Sequence, residues 1–196
     1  MELRSVLTIE VLVGLLVVQR LLELLYSRRN QRRLSADSRS ADKRGAWVAM
    51  VVLHALWLSG CAVEVHLRGA PTRAPLFWGG IGLLAAGQAL RWWAIATLGS
   101  AWNARAVVDP QTRVVTSGPY RFARHPNYTG LLLELAGLPL ATGAWVTAAL
   151  TLPLHLVVLF RRIRNEERLL RDLPGYAREM ESKGLFFPRL RPSRTR

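Results

Sequence analysis

Four long apolar runs constrain this chain more than any other feature: residues 3–26, 46–66, 76–98 and 129–160. Each is long enough to cross a hydrocarbon core of about 30 Å. The segments between them are rich in arginine and too charged to enter lipid. In lipid a single run satisfies its own backbone polar groups only as a helix. The expected fold is therefore an all-α integral membrane protein. The last run, taken as one straight helix, would be about 48 Å long, more than a bilayer needs. Gly143 near its middle, with Pro139 before it, divides it into a hairpin. That gives about five transmembrane helices, at roughly 3–26, 46–66, 76–98, 128–142 and 145–160, in a single domain spanning residues 1–196. A polar tail, 161–196, follows. The first run exceeds a signal-peptide core, lacks a small-x-small cleavage site and ends in Tyr26-Ser27-Arg28-Arg29. It reads as an uncleaved anchor helix.

Charge gives the expected orientation. The chain carries a formal net charge of +14 although 51% of its residues are hydrophobic. Seven Lys/Arg lie in 27–45, four in 99–126 and eleven in the tail, against three in the N-terminal end, the 67–75 connector and the 141–145 turn together. Cytoplasmic loops collect positive charge, so the first group is placed in the cytoplasm, the N-terminus outside and the C-terminus inside. The basic residues form no single face interleaved with exposed aromatics, which argues against nucleic-acid binding. With Cys61 as the only cysteine, an intramolecular disulfide and a cysteine-based metal site are both excluded, and no metal is expected.

Polar residues inside the runs have structural readings. Arg20 and Glu23 are three apart and share a helix face, where they can pair. His54 is expected to bond a neighbouring helix. Gly79, Gly80, Gly82 and Gly87 permit close helix approach. Arg91-Trp92-Trp93 has the signature of an interfacial belt. In the tail, Leu169, Leu173, Tyr176 and Met180 share one helical face, which predicts a surface helix against the bundle, broken or bent at Pro174-Gly175.

Two polar clusters carry chemical potential. The first is Gly118-Pro119-Tyr120-Arg121-Phe122-Ala123-Arg124-His125-Pro126-Asn127-Tyr128-Thr129-Gly130. Pro126 fits the first turn of a helix, with His125 or Asn127 as its cap. The helix N-terminus and Arg124 together favour an anionic group. Tyr120, Phe122 and Tyr128 offer faces for a heterocycle or a cation. The same residues also suit a plain interfacial turn. The second cluster is Arg161-Arg162-Ile163-Arg164-Asn165-Glu166-Glu167-Arg168. Arg162 and Glu166 are four apart, as are Glu167 and Arg171. Both pairs read either as ordinary surface salt bridges or as a cation and an anion held side by side at a membrane surface.

Gly118-Pro119-Tyr120 followed by Arg124-His125-Pro126-x-Tyr128-x-Gly130, with Arg-x-x-x-Glu-Glu after the last span, resembles the isoprenylcysteine carboxyl methyltransferase family. The likeness covers residues 98 to the C-terminus. It implies a small helical membrane bundle that uses S-adenosylmethionine in a cytosol-facing pocket. By that resemblance Val114, Val115, Tyr120, His125, Pro126, Asn127 and Tyr128 line the cofactor site, Glu166 faces the cofactor, Arg162 holds the acceptor and Glu167 supports them. The acceptor implied is a lipophilic, membrane-dissolved small molecule or prenylated substrate of the isoprenylcysteine-carboxylate type. Met180 stands where the family tail often has a second aromatic. Trp102-Asn103-x-Arg105 and Glu134-Leu135-Ala136-Gly137-Leu138-Pro139-Leu140 look more like a bacterial branch that methylates hydroxyls of alkylpyrones or alkylresorcinols. An acceptor hydroxyl would need a base, for which His125 or a glutamate are candidates. Sterol reductases share an Arg-His-Pro-x-Tyr-like element and use NADPH, so a membrane reductase is a competing reading. A non-enzymatic membrane scaffold is a third.

Overall fold

The computed structural model describes residues 2–42, 44–68 and 73–188. Part of the 67–75 connector and the tail beyond 188 lie outside the described residues. The chain is mostly helical. Its elements are α1 (Glu2–Gln31), β1 (Arg39–Ser40), α2 (Arg44–Arg68), α3 (Ala74–Leu98), β2 (Val107–Val108), α4 (Pro126–Thr142), α5 (Trp145–Leu170) and α6 (Tyr176–Met180). Among the described residues three stretches, Gly45–Arg68, Ala74–Ala101 and Trp145–Leu170, are long and apolar enough to cross a membrane. Leu15, Val18 and Leu22 on α1, Val52 and Leu56 on α2, and Leu150 and Leu154 on α5 all face outward. So large an apolar surface suits lipid rather than water.

The tightest joint is between α3 and α4. Gly80 and Gly87 are two turns apart on one face of α3, and Gly130 and Gly137 repeat that spacing on α4. A Cβ at Gly87 would lie 2.7 Å from the Gly130 carbonyl oxygen, and one at Gly137 would lie 2.9 Å from that of Gly80. At Gly80 it would meet the Gly137 oxygen at 2.6 Å and the Ala141 amide closer still. The helices therefore meet backbone to backbone, as small residues allow in membranes. Only part of the expected glycine set does this: a Cβ at Gly82 would meet nothing within 4 Å.

Charged side chains lock α1 to this pair. Glu23 accepts from Arg20 at 2.7 Å and from Arg91 at 2.6 Å. Arg20 also bonds Glu134, and Arg91 Nε lies 3.2 Å from the same carboxylate. The expected Arg20–Glu23 pair is thus half of a four-residue cluster. Arg91 is buried in it rather than at an interface, while Trp92 and Trp93 do face outward. His54 also departs from expectation. Its Nδ1 donates to the Met50 carbonyl of its own helix at 2.9 Å, and only its ring meets a neighbour, His155 of α5, edge-on at 4.9 Å.

Gly143, at φ +72°, ends α4 in the left-handed conformation that glycine adopts without strain, and α5 starts two residues later. Glu64 of α2 reaches across to accept the Val146 and Thr147 amides at 3.1 and 2.8 Å. A carboxylate there satisfies orphan N–H groups at the positive end of the helix.

The basic segments gather at the other end of the bundle, where α1, α3 and α5 finish and α2 and α4 begin. There Asn30 donates to the Trp102 carbonyl at 2.7 Å, Ser27 Oγ accepts the Ala104 amide at 2.9 Å, and Asp42 accepts the Ala106 amide at 3.0 Å. β1 pairs antiparallel with β2, Arg39 opposite Val108 and Ser40 opposite Val107. This small ladder is an addition to the all-α expectation. The amides of Ser35 and Gln111 donate to Asp109 and hold its carboxyl below the usual range. The tail differs in proportion: α5 continues through the charged cluster to Leu170, and the expected surface helix shortens to α6. Leu173, Tyr176 and Met180 are buried as their shared face predicts, with Leu169 packed beside them. The break falls at Pro174-Gly175, where Gly175 has φ +84°.

The glycine joint predicts a position-specific effect. Gly80→Ala forces α3 and α4 apart, an overpacking cost of about 1–3 kcal/mol, and lowers the melting temperature in detergent. Gly82→Ala, on the open side of the same helix, leaves it unchanged. Equal effects from the two substitutions would contradict the backbone-to-backbone contact.

Candidate functional site

The site lies where the start of α4 meets the end of α5. The chain approaches α4 through a 3-10 turn, Gly118–Arg121, in which Gly118 has φ +53°. Pro126 takes the first helical position, where its missing N–H costs nothing. His125 holds the position before it, but no side chain caps the helix. The imidazole is turned instead toward α5, and its Nε2 lies 2.7 Å from Glu167 Oε1.

Glu167 is the hub of this junction. Besides His125 it accepts from Arg124 and from the Tyr176 hydroxyl, the latter at 2.8 Å. One buried carboxylate therefore joins the start of α4, the end of α5 and the start of α6. This corrects two expectations. Glu167 does not pair with Arg171, which lies 3.4 Å from Glu181 instead. Arg124 does not wait for an external anion, because Glu167 already occupies that role. The backbone agrees: the Arg124 and His125 amides donate to the Gly184 and Leu185 carbonyls at 2.9 and 2.8 Å. Lys183 Nζ donates to the Tyr120 carbonyl at 2.8 Å, so the tail is strapped across the motif. Burial raises the Tyr176 hydroxyl well above its ordinary pKa, as does the bond to Glu167. Burial does the same to Tyr120, so both phenols are neutral at working pH.

The neighbouring pair is arranged differently. Tyr128 donates to Glu166 Oε2 at 2.6 Å, and its ring stacks on His125 at 5.4 Å. Arg162 is also near, its guanidinium 5.7 Å from the Tyr128 ring centroid. It makes no ion pair with Glu166. Its Nη2 donates to the Ala104 carbonyl and lies 3.6 Å from Asp42, while its Nε is buried without a partner among the described residues. The i,i+4 spacing put Arg162 and Glu166 on one face, but Tyr128 stands between their functions.

These groups border a cavity of about 570 Å³. Val114, Val115, Tyr120, His125, Asn127, Tyr128, Arg162 and Glu166 all line it. Pro126 and Glu167 do not: the first starts the helix and the second holds the wall from behind. Phe122 is also outside, exposed beneath the Arg121 guanidinium. Sequence reasoning missed Trp47, which lines the cavity, and Asp42, which sits behind Arg162; Asn103 and Arg105, noted there only for a family likeness, line the cavity too. The cavity continues between α1 and α2, past Val17, Leu21, Met50 and Val51. Among the described residues no group of three or more His, Cys, Asp or Glu is placed to hold a metal ion.

Residues 80–172 match the isoprenylcysteine carboxyl methyltransferase family. The uncharacterized protein YpbQ of Bacillus subtilis is 30% identical over 82% of this chain and 95% of its own length. An uncharacterized protein of Haemophilus influenzae is 32% identical over 48% of this chain and 55% of its own. The cobalt-zinc-cadmium resistance protein CzcN of Cupriavidus metallidurans is 38% identical over 49% of this chain and 45% of its own. The matched stretch contains α4, the Gly118–Gly130 motif and the Arg162–Glu167 cluster.

Glu167→Ala strips the charge partner from buried Arg124. We expect a loss of about 3–5 kcal/mol, read as a large drop in melting temperature. Tyr176→Phe removes one donor to the charged carboxylate and costs about 1.5–3 kcal/mol. A Glu167→Ala protein as stable as wild type would show that the junction is held elsewhere.

Proposed function

Because the chain belongs to the isoprenylcysteine carboxyl methyltransferase family, a family of membrane methyltransferases, we propose that it transfers methyl from S-adenosylmethionine to an oxygen of a lipophilic, membrane-dissolved acceptor. The observation that carries this reading is one continuous cavity. It joins the residues 114–128 and Glu166 at the polar end to an arm that opens sideways between α1 and α2. Val17, Leu21 and Val51 line that arm while remaining 39%, 56% and 38% exposed on the lipid-facing surface. A hydrophobic acceptor can thus reach the site without leaving the bilayer.

The residues present fit the donor. About 570 Å³ is within the range of pockets that enclose small organic ligands. Glu166, its carboxylate fixed by the Tyr128 hydroxyl, suits a cationic sulfonium. Asn103 Oδ1 and Asn127 Oδ1 are buried acceptors without partners among the described residues, suited to the amino groups of an adenine or an ammonium. The donor, when bound, supplies an activated methyl group for in-line displacement. The chain's own task is alignment and exclusion of water. Tyr128 fixes the Glu166 carboxylate. Arg162, held by the Ala104 carbonyl and backed by Asp42, positions the acceptor oxygen. Glu167 acts through His125 and Arg124, keeping the cavity wall in place.

Helices α1 to α5 all cross the membrane in this reading, with α4, about 26 Å long, the shortest. The basic end faces the cytoplasm, where the donor is dissolved. The acceptor is an isoprenylcysteine-type carboxylate, already ionised and held by Arg162. One observation favours a second reading. Asp42, 3.6 Å from Arg162, already offsets that charge and weakens its pull on a carboxylate. The hydroxyl of an alkylpyrone or alkylresorcinol asks for no free cation.

A radiolabelled methyl-transfer assay with an isoprenylcysteine analogue and an alkylpyrone side by side separates these acceptors. Base-labile label marks an ester, and stable label marks an ether. Glu166→Ala should raise the donor dissociation constant roughly tenfold or more. Arg162→Ala should lower kcat/KM for the acceptor while donor affinity stays. Wild-type protein with no saturable binding of S-adenosylmethionine would refute the proposal.

A further inference from the structure

The membrane-buried arm of the cavity is not lined as a plain hydrocarbon tail would require. Val13, Leu21, Met50 and Leu58 are apolar, yet Arg20, Glu23, His54 and Arg91 line the same arm. Arg20 lies seven residues before Ser27, whose hydroxyl holds the Ala104 amide in the polar layer. That separation is about 10 Å along α1. The polar groups are therefore two turns deeper than Arg162's own anchor on Ala104.

The charged members are committed to one another. Glu23 accepts from Gln19, Arg20 and Arg91, and Glu134 balances the two arginines. His54 is different. A carbonyl oxygen can only accept, so Nδ1 carries the proton that it gives to Met50. Nε2 of this neutral ring is then a lone pair, and it has no hydrogen-bond partner among the described residues. The ring is fixed by edge contacts with Trp57 and His155. His155 spends its own Nδ1 on the Thr151 carbonyl at 2.9 Å, so it presents no proton to His54 from that nitrogen. A hydrocarbon packed here would leave the His54 acceptor unpaired, which is unfavourable.

We propose that the arm holds a second polar subsite, in which His54 Nε2 accepts a hydrogen bond from a hydroxyl or N–H borne by the acceptor's lipophilic body. The preferred acceptor is accordingly a two-headed lipid. One polar group lies at Arg162, an apolar spacer follows, and a neutral donor lies at His54. The inference rests on the cavity being the acceptor's binding site, as in the proposed function, but not on any methyl transfer.

The test is binding, measured as fluorescence quenching or thermal shift of purified full-length protein. The probes are octadecanoic acids that differ only in the position of one hydroxyl group, with unsubstituted octadecanoic acid as reference. One mid-chain isomer should bind about tenfold more tightly than the reference. The corresponding methoxy compound, which has no proton to donate, should lose that advantage. His54→Phe, which keeps a ring but removes Nε2, should abolish it, the hydroxylated acid then binding no more tightly than the reference. Equal binding of all isomers by wild type, which needs no variant, overturns the subsite. So does an advantage that survives methoxy substitution or His54→Phe. Absence of methyl transfer to every acceptor would refute the proposed function and leave this preference intact.

Discussion

A buried carboxylate must be matched by donors or the fold gives way, and the Glu167 carboxylate is matched from three directions. Arg124 and His125 come from the approach to α4, and Tyr176 comes from α6. Everything at the polar end depends on this convergence. It fixes the His125 ring, on which Tyr128 stacks, and Tyr128 in turn holds Glu166. The cavity wall is thus set by a residue that does not touch the cavity. The wall's steadiness is bought with a fully paired buried charge rather than with apolar packing alone.

The second constraint is how closely α3 and α4 approach. Gly80, Gly87, Gly130 and Gly137 bring the two backbones together, which draws Glu134 and Arg91 into one cluster with Arg20 and Glu23 of α1. Arg20, Glu23 and Arg91 of that cluster line the deep arm of the cavity. The packing that holds the bundle therefore also decides which polar groups that arm presents. At the far end, Glu64 satisfies the first amides of α5 from another helix, so the hairpin is fixed at both ends by carboxylates.

Much of this was legible in the sequence because it depends on local spacing. The break at Gly143, the buried face of Leu173, Tyr176 and Met180, and the Arg20–Glu23 pair follow from helical periodicity. The two motifs at Gly118–Gly130 and Arg161–Arg168 announced themselves as polar islands among apolar runs. What periodicity could not give was partner choice over long separations. Glu167 had Arg171 one turn away and took Arg124, whose side chain is only 9% exposed while that of Arg171 is 58% exposed. Asp42 sat in a charged connector and became the neighbour of Arg162. Arg91 resembled a headgroup anchor, yet two carboxylates from different helices drew it inward. Gly80 and Gly82 read alike, and only one faces α4.

The central claim is that residues 114–128 and the end of α5 together form the pocket for the methyl donor. The most direct measurement is ultraviolet crosslinking of S-adenosylmethionine, labelled in its methyl group, to the purified protein, followed by peptide mapping. Saturable label is expected on peptides that carry Val114 to Tyr128 or Arg162 to Glu166, displaced by excess unlabelled donor. Saturable label confined to peptides away from this cavity would contradict it.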